Sequence, residues 1–374
     1  MGKAISIVAL ALAVASTAAH ATSYTFVPLY TPAGDVSYAW GINNLGEVVG
    51  TTGFIDPQTV GTGNIITAYG ATLWNGPATS YLATPPGYSS VANGINDSGT
   101  VVGQIQNGVS GYTSYSPMAW VGSNATQLGT LGGNNGAATG ISNSGQVVGY
   151  SDTLTGQYAT TWSGTTPTKL GPVDNTIDSR AYGINNTGQI VGATEASPTT
   201  AMIWSGSNSI NLGPGFGSAS VGFAINNTGD VVGYSYVSGN EVATLWNGAG
   251  PISLGTLGGS YSWANAINND GVVVGGAATT APGITHAFMW SNGAMTDINA
   301  YLTDQERSSG WVLDYATGIN DNGWIAGVAS NTVLGEDRAF LLEVAAVPEA
   351  RAYAMLLTGL GLVGFVAHRK KKVS

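Results

Sequence analysis

One ten-residue pattern occurs seven times in this chain, and few folds have seven equivalent places for it. Its clearest copy is Gly183-Ile184-Asn185-Asn186-Thr187-Gly188-Gln189-Ile190-Val191-Gly192; the others begin at Gly41, Gly94, Gly140, Ala224, Ala266 and Gly318. The pattern reads as a β-hairpin. A strand ends in Ile, four turn residues follow, and a Val-Val-Gly strand returns. Asn and Asp tolerate the turn geometry and bond their own backbone, while Gly supplies positive φ without a Cβ clash.

The Ile of each copy (42, 95, 141, 184, 225, 267, 319) is separated from the next by 53, 46, 43, 41, 42 and 52 residues. That is the size of a four-stranded propeller blade. A second recurring strand ends in an aromatic at Trp74, Trp120, Trp162, Trp204, Trp246 and Trp290, with Arg338-Ala-Phe-Leu341 as the seventh copy. A third element, clearest in Gln127-Leu-Gly-Thr-Leu-Gly-Gly133, follows six of these and is missing after the last. The stretch Thr22 to Leu29 is an unassigned strand at the other end of the chain. The expectation is an all-β, seven-bladed β-propeller over 22–346, with the N-terminal strand completing the last blade and removing an open edge.

One and three positions before each Ile, all fourteen residues are Gly or Ala. With unbroken alternation these share one bare face, which suits the axial strand of a blade where neighbours crowd. Two and four positions before, the residues vary and include Tyr38, Trp40, Tyr182, Phe223, Trp263 and Tyr315. These aromatics either fill gaps between blades or present sugar-stacking surfaces; Tyr38, Trp263 and Tyr315, near the incoming loops, are the candidates for ligand binding. The repeated Trp residues are read as core. Two long connections, 51–70 and 297–311, carry individuality, and Asp304 to Arg307 in the second reads as a solvated turn of helix.

Zero cysteines exclude disulfides, thiolate metal sites and cysteine nucleophiles. His20 and His368 lie near the ends, leaving His286 at the start of a repeated strand, where a structural role is expected. No His-based triad, two-histidine zinc motif or phosphate loop is present. Between Thr22 and Val347 there are 19 Asp and Glu against four Lys and Arg (Lys169, Arg180, Arg307, Arg338), which argues against nucleic acid and other polyanions as partners. Asp97, Asp230, Asp270 and Asp321 fall at the hairpin turns and are read as turn formers. Asp314 with Asp35 is the carboxylate pair considered for glycosidase chemistry. No cofactor is expected; calcium in acidic loops stays open, although no EF-hand pattern appears.

Residues 1–21 read as a secretory signal peptide: Lys3, an apolar run, and a small-x-small site ending at Ala21. At the other end, 347–374 carries Pro348-Glu349, sixteen uncharged residues (352–367), and then His368-Arg-Lys-Lys-Lys372. As a helix those sixteen reach about 24 Å, and snorkelling of the flanking cations would let them span the inner membrane with the basic end in the cytoplasm. This tail resembles the PEP-CTERM sorting signal of exopolysaccharide-producing Gram-negative bacteria, with Ala350 where a second Pro is usual. The resemblance implies recognition by exosortase and removal of the tail. The repeats resemble the HAF family of extracellular repeats, through His286-Ala287-Phe288 followed by Trp290, the Leu-Gly-Thr-Leu-Gly-Gly segments and the hairpin motif.

These readings lead to an exported, monomeric, non-enzymatic surface or extracellular-matrix propeller that binds carbohydrate or another surface protein, associated with exopolysaccharide or biofilm. A secreted carbohydrate-active hydrolase is the alternative, and a purely structural spacer is a third.

Overall fold

Short strands of Val, Ile, Thr and aromatic residues, punctuated by Gly and Asn turns, cannot bury both faces alone, so they stack sheet on sheet. The computed structural model describes residues 23–31, 36–55, 66–107, 114–171, 178–206 and 208–345. Ala21 with the rest of 1–21, Asp35, and the tail containing Pro348, Glu349 and 352–367 lie outside the described residues. Among the described residues no helix is long and apolar enough to cross a membrane.

The strands are β1 (Tyr24–Pro28), then β2 (Val36–Ile42), β3 (Val48–Ile55), β4 (Ile66–Asn75) and β5 (Ala78–Tyr81) in the first blade. The second blade holds β6 (Tyr88–Ile95), β7 (Thr100–Asn107), β8 (Ser114–Val121) and β9 (Asn124–Gln127). The third holds β10 (Gly136–Ile141), β11 (Val147–Asp152), β12 (Gln157–Ser163) and β13 (Thr166–Lys169). The fourth is β14 (Ser179–Ile184), β15 (Gln189–Thr194), β16 (Thr200–Ser205) and β17 (Asn208–Asn211). The fifth is β18 (Ser220–Ile225), β19 (Val231–Val237), β20 (Asn240–Asn247) and β21 (Gly250–Ser253). The sixth is β22 (Gly258–Ile267), β23 (Val273–Thr279), β24 (Thr285–Ser291) and β25 (Ala294–Asp297). After a 3-10 turn (Ile298–Tyr301) and α1 (Asp304–Ser308) come β26 (Trp311–Ile319), β27 (Ile325–Asn331) and β28 (Glu336–Val344).

The seventh sheet has the order β1-β28-β27-β26, so the first strand among the described residues completes the last blade, as expected from sequence. Leu29 N donates to Ala339 O at 2.8 Å to extend this pairing. Residues 25–343 form one compact unit; of the other, 1–24 with 344–374, only Ser23, Tyr24, Val344 and Ala345 are described, and Ala345 N donates to Ser23 O at 2.8 Å. The described parts of the connection at 51–70, residues 51–55 and 66–70, are strand, while α1 is a solvated helical turn closed by a Thr303–Glu306 capping box.

The small residues do sit where blades converge. A Cβ on Gly41 would lie 3.2 Å from Asn93 O and 3.3 Å from Gly94 Cα of the next blade, and one on Gly318 would meet Ile42 Cγ2 at 3.0 Å, across the point where the ring closes. The alternation, however, is broken. Each inner strand carries a bulge between the two small positions, so Ala39 pairs with Gly50 and Gly41 with Val49, leaving Trp40 unpaired. The same shift skips Asn93, Thr139, Tyr182, Phe223, Asn265 and Thr317. The two small residues therefore face opposite neighbours: Gly183 abuts Phe223 O of the following blade, whereas Gly222 abuts Val191 Cγ2 of the preceding one. The bulge also accounts for the Gly of Val-Val-Gly. A Cβ there would lie 1.9 Å from Tyr38 O at Gly50 and 1.9 Å from Val91 O at Gly103.

The hairpin Asn residues tie each turn to itself and to its neighbour. Asn185 Oδ1 accepts from Thr187 N and Gln189 N at 3.1 and 2.9 Å, while its Nδ2 donates to Asn226 O of the next blade at 2.8 Å. Ser142, at the equivalent place in the third blade, is too short for that reach. A second belt is complete. Backbone N–H groups of Asn44, Asp97, Asn143, Asn186, Asn227, Asn269 and Asp321 each donate to the side chain of the next member, and Asp321 returns to Asn44 Oδ1 at 2.9 Å. Five of the repeated Trp residues are buried as expected; Trp290 is only partly so.

Buried Ser residues supply a further tether. Ser90, Ser179, Ser220 and Ser262 on inner strands accept from Ala71, Ala159, Ala201 and Ala243 N on the third strand of the preceding blade. Ser37 does the same for Ala339 across the closure.

Candidate functional site

All seven hairpin turns share one face of the ring, so the inner strands begin on the other. The turn face is occupied with its own closed belt of hydrogen bonds around a cavity of about 190 Å³. A larger cleft of about 510 Å³ beside β1 has mainly apolar walls, including Phe26, Trp74 and Leu341, with Glu343 as its carboxylate. Carboxylates and partly exposed aromatics converge elsewhere, on the face where the inner strands start.

The bulges shape that face. Where the bulged residue is small it serves the scaffold: Asn93, Thr139 and Asn265 donate to Ala138, Ala181 and Ala316 O of the next inner strand. Where it is Trp40, Tyr182 or Phe223, an aromatic ring is left partly exposed. Two arcs result. In blades three to five, the Arg180 guanidinium lies 4.9 Å over the Tyr150 ring and pairs with Glu195 at 2.9 Å. Beside it, Tyr182, Phe223, Tyr234 and Tyr236 form a chain of edge-on ring contacts spaced 5.5, 5.6 and 6.0 Å.

The second arc joins blades six, seven and one, and it holds all three aromatics singled out from sequence. Trp263 stacks on Tyr261 at 6.0 Å and meets Tyr315 at 6.5 Å. Tyr38 stacks on Trp40 at 6.2 Å, and its hydroxyl donates to Asp337 Oδ2 at 3.2 Å. Asp337 and Asp314 both act on Tyr315, whose pKa is pushed up to about 12, first by burial and then by these two charges. Burial likewise raises Tyr38, with Asp337 adding to it.

Asp314 departs from the repeat. Five residues before each Ile stands one of the tethering Ser residues in five blades, Gly136 in the third and Asp314 in the seventh. There β26 has a second bulge, between Leu313 and Tyr315. Leu313, fully buried, takes the ladder place of the Ser, and Asn299 supplies the tether by accepting from Leu313 N at 2.8 Å and donating to its O at 2.9 Å. Asp314 is thereby an extra residue released from the ladder, with Ser330 Oγ donating to it at 3.1 Å. Bulges commonly re-aim a side chain in this way. Burial first, and then the Asp337 charge, push Asp314 up to about 6, against lowering by Ser330 and His286.

The pair considered from sequence, Asp314 with Asp35, cannot be assembled because Asp35 lies outside the described residues; the carboxylate acting on Asp314 here is Asp337. His286 holds Asp297 at 2.6 Å on the adjacent strand. Asp97 and Asp321 belong to the turn belt and Asp230 bonds its own turn at Thr228 Oγ1, 2.9 Å, in keeping with turn-forming roles. Among the described residues no group of three or more His, Cys, Asp or Glu is placed to hold a metal ion.

Because the folded-state pKa of Asp314 is raised from 3.8 to about 6, the folded chain binds more protons than the unfolded one between those values. Stability therefore rises as pH falls from 7 towards 5 and is lost again as pH climbs through 6. For a partly exposed group the effect is on the order of 1 kcal/mol after solvent screening. Calorimetry should show a rise in Tm of about 2 °C over that interval, reduced in Asp314→Asn; equal slopes in both proteins contradict the assignment.

No family model and no curated protein matches the chain. Among solved structures, the β-propeller domain of the Trilobed protease from Pyrococcus furiosus is similar, with a TM-score of 0.52 at 10% identity over 83% of this chain and 94% of that one. Its propeller is described as having an open velcro topology, whereas here β1 pairs with the last blade. TolB from Acinetobacter baumannii gives a TM-score of 0.39 at 11% identity, over 71% and 63% of the two chains. A glycosyl hydrolase from Bacteroides ovatus gives 0.29 at 10% identity, over 83% and 84%. The chain is a seven-bladed propeller. At such identities the likeness concerns the fold alone.

Proposed function

We propose that this is an exported surface or extracellular-matrix protein that binds carbohydrate through the aromatic face without transforming it. The observation that carries the reading is the arc of Tyr38, Trp263 and Tyr315, built from three blades around two carboxylates. Flat partly exposed rings beside hydrogen-bonding groups are what a sugar ring needs for stacking and orientation. Export and exopolysaccharide association rest on the sequence: the leader ending at Ala21, the tail at Pro348-Glu349 with its apolar stretch 352–367, and the sorting signal this tail resembles, with exosortase as the partner in sorting.

Affinity electrophoresis against the producer's polysaccharide tests the reading. Trp263→Ala together with Tyr315→Ala should weaken binding at least tenfold, equivalent to about 1.4 kcal/mol, at a temperature where circular dichroism shows the variant folded. Binding within twofold of the unaltered protein overturns it. A second reading, a hydrolase, is favoured by the released, readily protonated Asp314 beside Asp337, since a carboxyl group held protonated towards neutrality with a second carboxylate near it suits glycoside hydrolysis. In the same incubations it requires release of reducing ends that is lost in Asp314→Asn.

A further inference from the structure

We infer that the aromatic arc selects glycans carrying protonated amines, with Asp337 and Asp314 as the groups that recognise the ammonium. The inference rests on the carbohydrate-binding reading and names its ligand class.

Charge complementarity decides the occupant. Asp337 accepts from the Tyr38 hydroxyl and Asp314 from the Ser330 hydroxyl, both neutral donors. No salt bridge among the described residues reaches either carboxylate, and the ion pairs there take the Arg side chains elsewhere, to Glu195, Asp304 and Glu336. Lys169 stands 3.3 Å over the Tyr158 ring in the third blade. His286, whose charge would lower Asp314, is itself bonded to Asp297. Asp314, half-buried beside the Asp337 carboxylate and in no salt bridge among the described residues, is costly to keep charged unless a cation arrives to compensate it.

The surroundings suit an ammonium on a sugar. The Tyr38, Trp263 and Tyr315 rings offer π faces that attract a desolvated cation and stack on a pyranose. The inserted Asp314 has no counterpart in the five repeats where a buried Ser occupies that place, so the carboxylate is a departure from the scaffold. A chain with 19 acids against four bases over its mature length would repel an anionic polymer and attract a cationic one.

Isothermal titration at pH 7 with glucosamine oligomers, their N-acetylated counterparts and trilysine tests the inference. The free-amine oligomer should bind at least tenfold tighter than the acetylated one. Asp337→Asn should abolish that preference while leaving residual binding to the acetylated oligomer; should this variant fail to fold, Asp314→Asn is expected to reduce the same preference. Equal affinity for both oligomers overturns the amine selection and leaves carbohydrate binding standing. Absence of binding to either oligomer overturns the inference, while the producer's polysaccharide still tests the reading beneath it. Trilysine bound as tightly as the free-amine oligomer overturns the assignment to a glycan in favour of a basic peptide.

Discussion

A chain lacking Ser23 to Leu29 should melt at least 10 °C earlier than the intact propeller and elute partly as aggregate. The segment contributes the outer strand of the seventh sheet, so its loss exposes the edge of β28 along its length. It also removes two buried side chains, Phe26 and Leu29. Phe26 lies edge-on to Trp311 at 5.2 Å and tilts towards Phe340 at 6.3 Å, while Leu29 belongs to the cluster with Val48, Trp74 and Leu341 that joins the last blade to the first. Truncating a buried Phe or Leu costs roughly 2–5 kcal/mol each, a large share of a total that is about 5–15 kcal/mol. Phe26→Ala alone provides a graded version, about 3 kcal/mol less stable with the strand retained. Calorimetry with size-exclusion chromatography checks both. An unchanged Tm after deletion would mean that the ring is held by its other six interfaces and that β1 is dispensable.

That closure was legible because repetition makes a missing element visible: six copies of a fourth strand and one stray strand at the opposite end leave a single arrangement. The Gly and Ala residues were legible as crowding for the same reason. Their faces were not. A bulge has no residue signature when the bulged position is the variable one, and Trp40, Asn93 and Phe223 share nothing chemically. The hint was the Gly of Val-Val-Gly, which reads as a plain strand glycine until the opposing carbonyl is seen beside it. The Asn residues announced turns but not belts, because each belt bond reaches into the next repeat, 41 to 53 residues away, or 277 where the ring closes. Tyr38, Trp263 and Tyr315 were visible as departures from small residues. Their partner Asp337 was not: it lies 299 positions from Tyr38 and is brought there only by the closing of the ring. Asp314 was noticed as a carboxylate, yet its meaning came from the Ser it displaces, a tether that operates between blades.

Alanine at Gly103 is expected to destabilise the propeller by at least about 3 kcal/mol, beyond the usual range for a single added methyl. The new Cβ would lie 1.9 Å from Val91 O and 3.0 Å from Ala92 Cα, both backbone atoms. Neither can step aside, since the bulge that pushes this carbonyl inward is held by ladder bonds on each side. Gly248→Ala serves as the control: its Cβ meets nothing within 4 Å, so the change should stay within about 0.5 kcal/mol. Urea unfolding of the three proteins measures the difference, and Gly103→Ala melting with the control would show that the bulge is soft. If it is rigid, Gly50→Ala carries a further consequence. Its Cβ would strike Tyr38 O at the same 1.9 Å, in the blade that supplies one wall of the aromatic arc. Gly50→Ala and Gly103→Ala should therefore lose similar stability, but at temperatures where both remain folded only Gly50→Ala should bind glycan more weakly. Equal affinities would separate the bulge from the binding face; unequal ones would make the same backbone distortion the support of both the ring and its ligand site.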